Sequence, residues 1–163
     1  MWTLNKASNH LLDKVKLNEG SIPYQTKLGY FKSGRFYVYK DSLGFLTIGY
    51  GHLVKPGESF PNGITPDEAD AILAKDLSTA IAGAKEIHDQ YKMVIPESIQ
   101  ETLVEMVFQM GKAKVLKFKG VLTALSKNDY TKAIVEMKDS NWYRQTPNRV
   151  KGHIKVLMEN GGK

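Results

Sequence analysis

Two carboxylates, Glu19 and Asp41, stand in contrasting local surroundings. Glu19 follows a run of helical periodicity and precedes Gly20, where the negative end of a helix dipole favours a protonated carboxyl. Asp41 precedes a turn that contains glycine, so we expect it near solvent and ionised. One protonated and one ionised carboxyl are what acid-catalysed cleavage of a glycosidic bond requires.

The same residues also have ordinary structural explanations. Glu19 could be a polar residue at a frayed helix end, and Asp41 could be present for the geometry of its turn. Thr47, six residues beyond Asp41, indicates by itself only β propensity. These residue types alone therefore leave a catalytic and a structural interpretation open.

Hydrophobic periodicity and turn residues predict the elements that carry these residues. In the first part of the chain they are a helix over 8–18, strands over 27–31, 36–40 and 45–50 with turns at 32–35 and 42–44, and a loop over 55–64. Thr65, Pro66 and Glu68 predict a helix start with a capping box, for a helix that runs to residue 89. Later helices are predicted from Pro96 to Gly111, over 112–117, 120–127 and 129–138, and after a Thr146 cap.

Strands that cluster before a series of helices are typical of an α+β fold. We predict one domain over 1–163, with a β-rich lobe at 19–64 and a connecting helix at 65–89. Residues 1–18 and 90–163 are expected to be helical. A cleft between lobes joined in this way is a common place for a substrate.

Composition excludes some kinds of chemistry. The 163 residues include no cysteine, so disulfides, thiolate nucleophiles and thiolate metal sites are absent. No second histidine or cysteine is placed to join His52 in a metal site, and we expect neither metal nor cofactor.

The net charge of +6 is concentrated in residues 112–163, which carry 12 basic and 4 acidic side chains. The densest cluster consists of Lys112, Lys114, Lys117 and Lys119. A basic surface can bind nucleic acid, an anionic membrane or anionic envelope polymers, although solvated lysines serve solubility as well. The cluster lacks interleaved aromatic residues and a nucleic-acid motif, so we expect no nucleic-acid partner.

The segment after Met1 lacks the apolar run of a secretory signal, and no window approaches the roughly 18 apolar residues of a membrane span. We therefore expect synthesis in the cytoplasm and no membrane span. We also expect the protein to be a monomer.

Three separated motifs resemble the lysozyme family of tailed bacteriophages. The first joins Leu17–Gly20 to Tyr39–His52, the second is Met106–Gly111, and the third is Trp142–Arg149. They occur in the order found in that family and cover most of residues 10–158.

The resemblance implies a lysozyme-like fold and a muramidase that cleaves the β-1,4 bond between N-acetylmuramic acid and N-acetylglucosamine in bacterial peptidoglycan. Glu19 would be the general acid, Asp41 would hold the attacking water, and Thr47 would orient that water. The implied mechanism is an inverting single displacement, which requires carboxyls about 6.5–9.5 Å apart.

The resemblance implies two further sets of residues. Those that contact the substrate would be Leu53, Phe108 and Gln109, although Phe108 also has the spacing of a core residue. Those that support the site would be His52 with its partner Asp76, and Arg149 near the catalytic glutamate. The charge of Arg149 would favour the ionised glutamate and so oppose the effect of the helix end.

The chain departs from the family pattern in two places. Glu19 and Asp41 lie farther apart along the chain than is usual, which we attribute to an added hairpin near 22–38. Its aromatic residues could stack on sugars or pack locally. Val121 and Glu136 stand where the family often contacts sugar, so we assign them no role.

Two other functions remain open. A lytic transglycosylase needs the glutamate but not a water held by aspartate, and a silent envelope-binding module would lose a carboxylate. The expected setting is synthesis in the host cytoplasm and action on the cell wall or periplasm after the membrane is permeabilised, with peptidoglycan and anionic envelope polymers as partners. A free endolysin and a lysozyme carried on a phage tail share this domain, and a chain without appended modules favours the free endolysin.

Overall fold

A computed structural model describes residues 1–41 and 44–163, and their contacts divide the chain into two compact units. One unit comprises residues 7–78, and the other comprises residues 1–6 and 79–163. The α+β prediction is confirmed, because short antiparallel strands are followed by a long helix and then by further helices. The first helix belongs to the unit that contains the strands.

The described part of the unit of residues 7–78 contains two short helices, two small sheets and the beginning of a longer helix. Its elements are α1 (Asn9–Glu19), α2 (Ile22–Leu28), β1 (Phe31–Lys32), β2 (Arg35–Phe36), β3 (Tyr39–Lys40), β4 (Leu46–Ile48) and β5 (His52–Leu53). Strands β1 and β2 form an antiparallel pair, and β3, β4 and β5 form an antiparallel sheet in that order. Thr47 in β4 is paired with Tyr39 on one side and with Leu53 on the other.

Helix α1 is defined by its caps and its buried face. The Ser8 hydroxyl accepts a hydrogen bond from the Leu11 N–H at 3.1 Å, and Leu11 and Val15 are buried. Gly20 ends the helix with a φ of 120° and donates its N–H to the Lys16 carbonyl at 3.0 Å. Glu19 is therefore the last helical residue.

The predicted strand over 27–31 is wrong, because residues 22–28 form helix α2. The Ser21 hydroxyl caps this helix by accepting from the Tyr24 N–H at 3.3 Å, and Pro23 lies in its first turn. Gly29 ends the helix in the left-handed region, with a φ of 82°. The added segment is thus a helix followed by a short hairpin, since these start and stop signals override the alternating pattern.

The remaining strands are shorter than predicted. The expected strand over 36–40 is interrupted, because Phe36 forms two backbone hydrogen bonds with Ile64, each 2.8 Å long. In the predicted turn at 42–44, Ser42 and Leu43 lie outside the described residues, while Gly44 donates its N–H to the Asp41 carbonyl at 3.0 Å. Strand β5 was missed because Gly49 and Gly51, both with positive φ, end the preceding strand early.

Helix α3 (Pro66–Gln90) begins in the first unit and continues into the second, and six further helices follow. They are α4 (Glu97–Met110), α5 (Lys112–Val115), α6 (Lys119–Ser126), α7 (Tyr130–Lys138), α8 (Asn141–Gln145) and α9 (Pro147–Glu159). The predicted capping box of α3 is confirmed: the Thr65 N–H donates to Glu68 Oε1 at 3.0 Å, and the Glu68 N–H donates to Thr65 Oγ1 at 3.2 Å.

Two details of the helical unit differ from the sequence prediction. Helix α8 was not predicted, although the Ser140 hydroxyl caps it by accepting from the Tyr143 N–H at 3.1 Å. Thr146 does not cap α9 with its side chain. Its hydroxyl instead donates to the Trp142 carbonyl at 3.1 Å, a bond that competes with the capping geometry.

In the part of the chain that the structure describes, no helix combines the length and the apolar composition needed to cross a bilayer.

Candidate active site

Glu19 lies against the backbone of the turn between β4 and β5. A Cβ atom built on Gly51 would be 2.8 Å from Glu19 Cδ and 3.0 Å from Glu19 Cγ. Gly51 also has a φ of 82°, which side chains rarely adopt. Only glycine therefore allows this turn to approach the half-buried glutamate so closely.

Asp41 closes the turn between β3 and β4. Its N–H donates to the Phe45 carbonyl at 2.9 Å, and its Oδ1 accepts from the Phe45 N–H at 2.9 Å. The turn requires a short side chain with an acceptor, so the structural interpretation of Asp41 holds. That interpretation does not exclude a catalytic role for Asp41, since a carboxylate that accepts one hydrogen bond can still accept others, for example from water.

Thr47 is buried, with 3% of its surface exposed. Its hydroxyl donates to the Phe45 carbonyl at 3.1 Å, the same carbonyl that accepts from the Asp41 backbone. Phe45 thus joins Asp41 and Thr47 through short hydrogen bonds. Because the Thr47 proton is used in this bond, its oxygen is oriented to act as an acceptor.

Tyr39 is a residue of this site that the sequence analysis did not select. Burial, together with the nearby charges of Glu19 and Asp41, raises the pKa of Tyr39 to about 12. Glu19 and Asp41, which are 22 positions apart along the chain, therefore both influence the ionisation of one phenol. The phenol stays neutral at physiological pH and can donate a hydrogen bond.

The Tyr39 ring is held from the added segment. Tyr30 stacks on it with ring centroids 4.4 Å apart and planes 6° from parallel. The Tyr37 N–H donates to the Tyr30 carbonyl at 2.8 Å, which joins the segment between β2 and β3 to the residue that precedes β1. The aromatic residues of this segment therefore include one that packs on the site.

His52 is buried between two carboxylates. Its Nδ1 lies 2.8 Å from Asp76 Oδ2, and its Nε2 lies 3.0 Å from Glu58 Oε1. Burial of the ring opposes its charge, but the hydrogen bonds to Asp76 and Glu58 outweigh burial, so the pKa of His52 is raised. Glu58 was not predicted as a site residue, because it lies in an irregular loop that has neither a motif nor a periodic pattern.

Glu58 is oriented by the backbone of its own loop. The Lys55 N–H donates to Glu58 Oε1 at 2.7 Å, and this bond, followed by the bond to His52, lowers the pKa of the Glu58 carboxyl. Within residues 1–41 and 44–163, no group of three His, Cys, Asp or Glu is arranged to hold a metal ion.

The residues predicted to contact substrate fall in different units. Leu53 lies in β5 with 53% of its surface exposed, whereas Phe108 and Gln109 belong to α4 in the helical unit. Both ends of the Gln109 amide are engaged there: its Oε1 accepts from Trp142 Nε1 at 2.8 Å, and its Nε2 lies 3.4 Å from Thr146 Oγ1. Arg149 lies in α9 of the same unit.

Comparison with known proteins agrees with the motifs. A family model described as phage lysozyme matches residues 30–156. A probable T4-type lysozyme 1 from Dictyostelium discoideum is 33% identical over an alignment of 155 positions, which covers 80% of this chain and 90% of that protein. The resemblance stated from the sequence is confirmed.

Two other relatives are longer phage proteins. The pre-baseplate central spike protein Gp5 of Enterobacteria phage T4 is 33% identical over 147 positions, which cover 76% of this chain and 25% of the spike protein. Peptidoglycan hydrolase gp36 of Pseudomonas phage phiKMV is 27% identical over 142 positions, which cover 86% of this chain and 16% of that protein.

The contact between Gly51 and Glu19 makes a prediction about stability. Gly51→Ala should cost about 0.5–1.5 kcal/mol beyond the strain of its positive φ, because the Glu19 side chain must leave its rotamer to make room for the methyl group. Gly57→Ala is the matched control, since Gly57 has a φ of 90° and no other group within 4 Å of the added carbon. Chemical denaturation should show that Glu19→Ala recovers part of the stability lost in Gly51→Ala. Equal losses at Gly51 and Gly57 would contradict the contact.

The His52 cluster makes a prediction about pH. Because the pKa of His52 is raised on folding, its stabilisation is complete below the unfolded value of about 6.5 and is lost as pH rises through the folded value. The pKa of Glu58 is lowered, so its stabilisation is present above the unfolded value of about 4.3 and is lost as pH falls through the folded value.

The Tm difference between wild type and Glu58→Gln should therefore be largest between these two limits and shrink above the raised His52 pKa. Thermal denaturation across this pH range measures it, with the exposed Glu159→Gln as control. A difference that does not change with pH would rule out the proposed coupling between Glu58 and His52.

Proposed function

Because the chain belongs to the phage lysozyme family, we propose that it is a muramidase that hydrolyses the β-1,4 bond between N-acetylmuramic acid and N-acetylglucosamine in peptidoglycan. The observation that carries this proposal is the approach of both carboxylates to the same strand: Asp41 hydrogen-bonds to Phe45 directly before β4, and Glu19 lies against Gly51 in the turn that follows β4. The relative from phage phiKMV is named as a peptidoglycan hydrolase, which supports the same substrate.

Glu19 is proposed as the general acid that protonates the leaving glycosidic oxygen. Its place at the end of α1 favours the protonated carboxyl, because the helix dipole is negative there. Its contact with the Gly51 backbone restricts where the carboxyl can lie. A positioned acid contributes about 10²–10⁴ to the rate of such a reaction.

Asp41 is proposed as the base that holds the attacking water. The hydrogen bond from Phe45 orients its carboxylate through Oδ1, and a carboxylate so held can also accept from water. Thr47 would accept the second hydrogen of that water, because its own proton is donated to the Phe45 carbonyl. A water that donates to both groups presents a lone pair to the anomeric carbon.

This arrangement supports an inverting single displacement. Water attacks the face of the sugar opposite the leaving group while Glu19 donates its proton and Asp41 takes one from the water. Tyr39 adds no negative charge near the carboxylates, because its raised pKa keeps the phenol neutral.

We further propose that the protein acts as a monomer on the cell wall after the membrane has been permeabilised. The SAR-endolysin from Bacteriophage PS119, 38% identical over 80 positions that cover 47% of this chain, supports the cell wall as the place of action. The lysines at 114, 117 and 119 are exposed and add attraction to anionic envelope polymers.

The first test concerns the two carboxylates. Glu19→Gln and Asp41→Asn should each reduce the clearing of purified cell walls by at least about 100-fold, because each removes a proton-transfer or water-activating group. Turbidity measures the rate, and the Tm of each variant verifies folding. Asp13→Asn, an exposed carboxylate on α1, should clear walls at the wild-type rate. Wild-type clearing by Glu19→Gln would refute the assignment.

The second test concerns the reaction. Hydrolysis should release glycan fragments with N-acetylmuramic acid at a new reducing end that carries oxygen from water, and digestion in ¹⁸O-labelled water followed by mass spectrometry measures this. Products with 1,6-anhydromuramic ends would instead identify a lytic transglycosylase. Binding to cell walls without any released product would identify a silent envelope-binding module.

A further inference from the structure

The added segment supplies a buried amide that joins two parts of the backbone around Glu19. Gln25, in α2, has 2% of its surface exposed. Its Nε2 donates to the Gly20 carbonyl at 2.8 Å and to the Gly49 carbonyl at 2.8 Å. Both partners are acceptors, so the amide must present its nitrogen to them.

These two carbonyls belong to the two backbone segments that adjoin the Glu19 side chain. Gly20 directly follows Glu19, and Gly49 begins the turn whose Gly51 lies against Glu19 Cδ. One side chain therefore ties the end of α1 to the turn that restricts the acid. Without that tie, each of the two segments could move relative to the other.

Gln25 is itself held firmly. Its backbone N–H donates to the Ser21 carbonyl at 2.9 Å, and its backbone carbonyl accepts from the Tyr30 N–H at 2.9 Å. A Cβ built on Gly20 would lie 3.3 Å from Gln25 Nε2, so glycine leaves the space that the amide needs. Because the backbone of Gln25 is fixed in the added helix, its side-chain bonds to Gly20 and Gly49 couple the position of that helix to the backbone around Glu19.

We propose that Gln25 is a positioning residue for the Glu19 carboxyl, acting through the Gly20 and Gly49 carbonyls. This inference rests on the proposed role of Glu19 as general acid. Displacing a reacting group by about 1 Å can cost about 10²-fold in rate, so two buried hydrogen bonds that fix the acid matter for turnover. The added segment therefore supports catalysis in addition to extending the surface.

The test compares Gln25→Met with Gln100→Met on soluble, uncross-linked peptidoglycan strands. Gln100 is the matched control: it has 1% of its surface exposed, and its Nε2 donates to the Met1 and Ile95 carbonyls at 3.1 Å, within the other unit. Both variants should lose several degrees of Tm, and Gln100→Met should lose more, because Gln25 makes two side-chain hydrogen bonds whereas Gln100 makes five. Only Gln25→Met should lose kcat, by about 10-fold or more, with KM unchanged.

A second variant, Gln25→Glu, tests the same role through the pH dependence of kcat, and it replaces Gln25→Met if that variant does not fold. In Gln25→Glu the introduced carboxyl can donate one hydrogen bond when protonated and none when ionised. The kcat of this variant relative to wild type should therefore fall as pH rises through the ionisation of that carboxyl. A ratio that is constant with pH would count against positioning.

The outcomes separate this inference from the proposed function. A wild type that cleaves no strands overturns the function and this role together. An active wild type and an inactive Glu19→Gln, combined with a Gln25→Met variant of unchanged kcat per folded molecule, overturn the role of Gln25 alone. Equal losses of kcat in Gln25→Met and Gln100→Met, or a change confined to KM, also overturn it.

Discussion

The close contact between Glu19 and the backbone at Gly51 is the constraint on which the site depends. A carboxyl at the end of a helix is ordinarily exposed and mobile, so it would be a poor proton donor at a defined point. Here the β4–β5 turn approaches it so closely that no Cβ atom fits between them. The Gln25 amide binds the carbonyls of Gly20 and Gly49 and so connects the helix end to that turn. Three glycines and one buried glutamine thus define the position of one acid.

On the side of Asp41, structural and chemical requirements coincide. The aspartate that closes the turn is also the proposed base, and the threonine that fills a buried strand position also directs a hydroxyl to the Phe45 carbonyl. Each group is oriented by a backbone hydrogen bond before any substrate is present. Such orientation is what a water-activating pair requires, because the water must be held by fixed acceptors.

Sequence reasoning succeeded where the determining interactions are local. The Thr65–Glu68 capping box and the end of α1 at Gly20 follow from residues within one helical turn, and both are observed. It failed for residues 27–31, where Ser21 and Gly29 define a helix that outweighs an alternating pattern. It also missed Glu58, because a glutamate in an irregular loop has no periodicity or motif.

By itself, the amino-acid sequence determined the family, the α+β class and the catalytic candidates. Motifs and hydrophobic periodicity depend only on which residues follow one another along the chain. Only the tertiary structure decided that Glu19 and Asp41 share the neighbour Tyr39, and that Gln25 bridges Gly20 and Gly49. These interactions include two between residues at least 20 positions apart along the chain, Glu19 with Tyr39 and Gln25 with Gly49. They depend on how α1, the added helix and the strands pack, and no local pattern of residues specifies that packing.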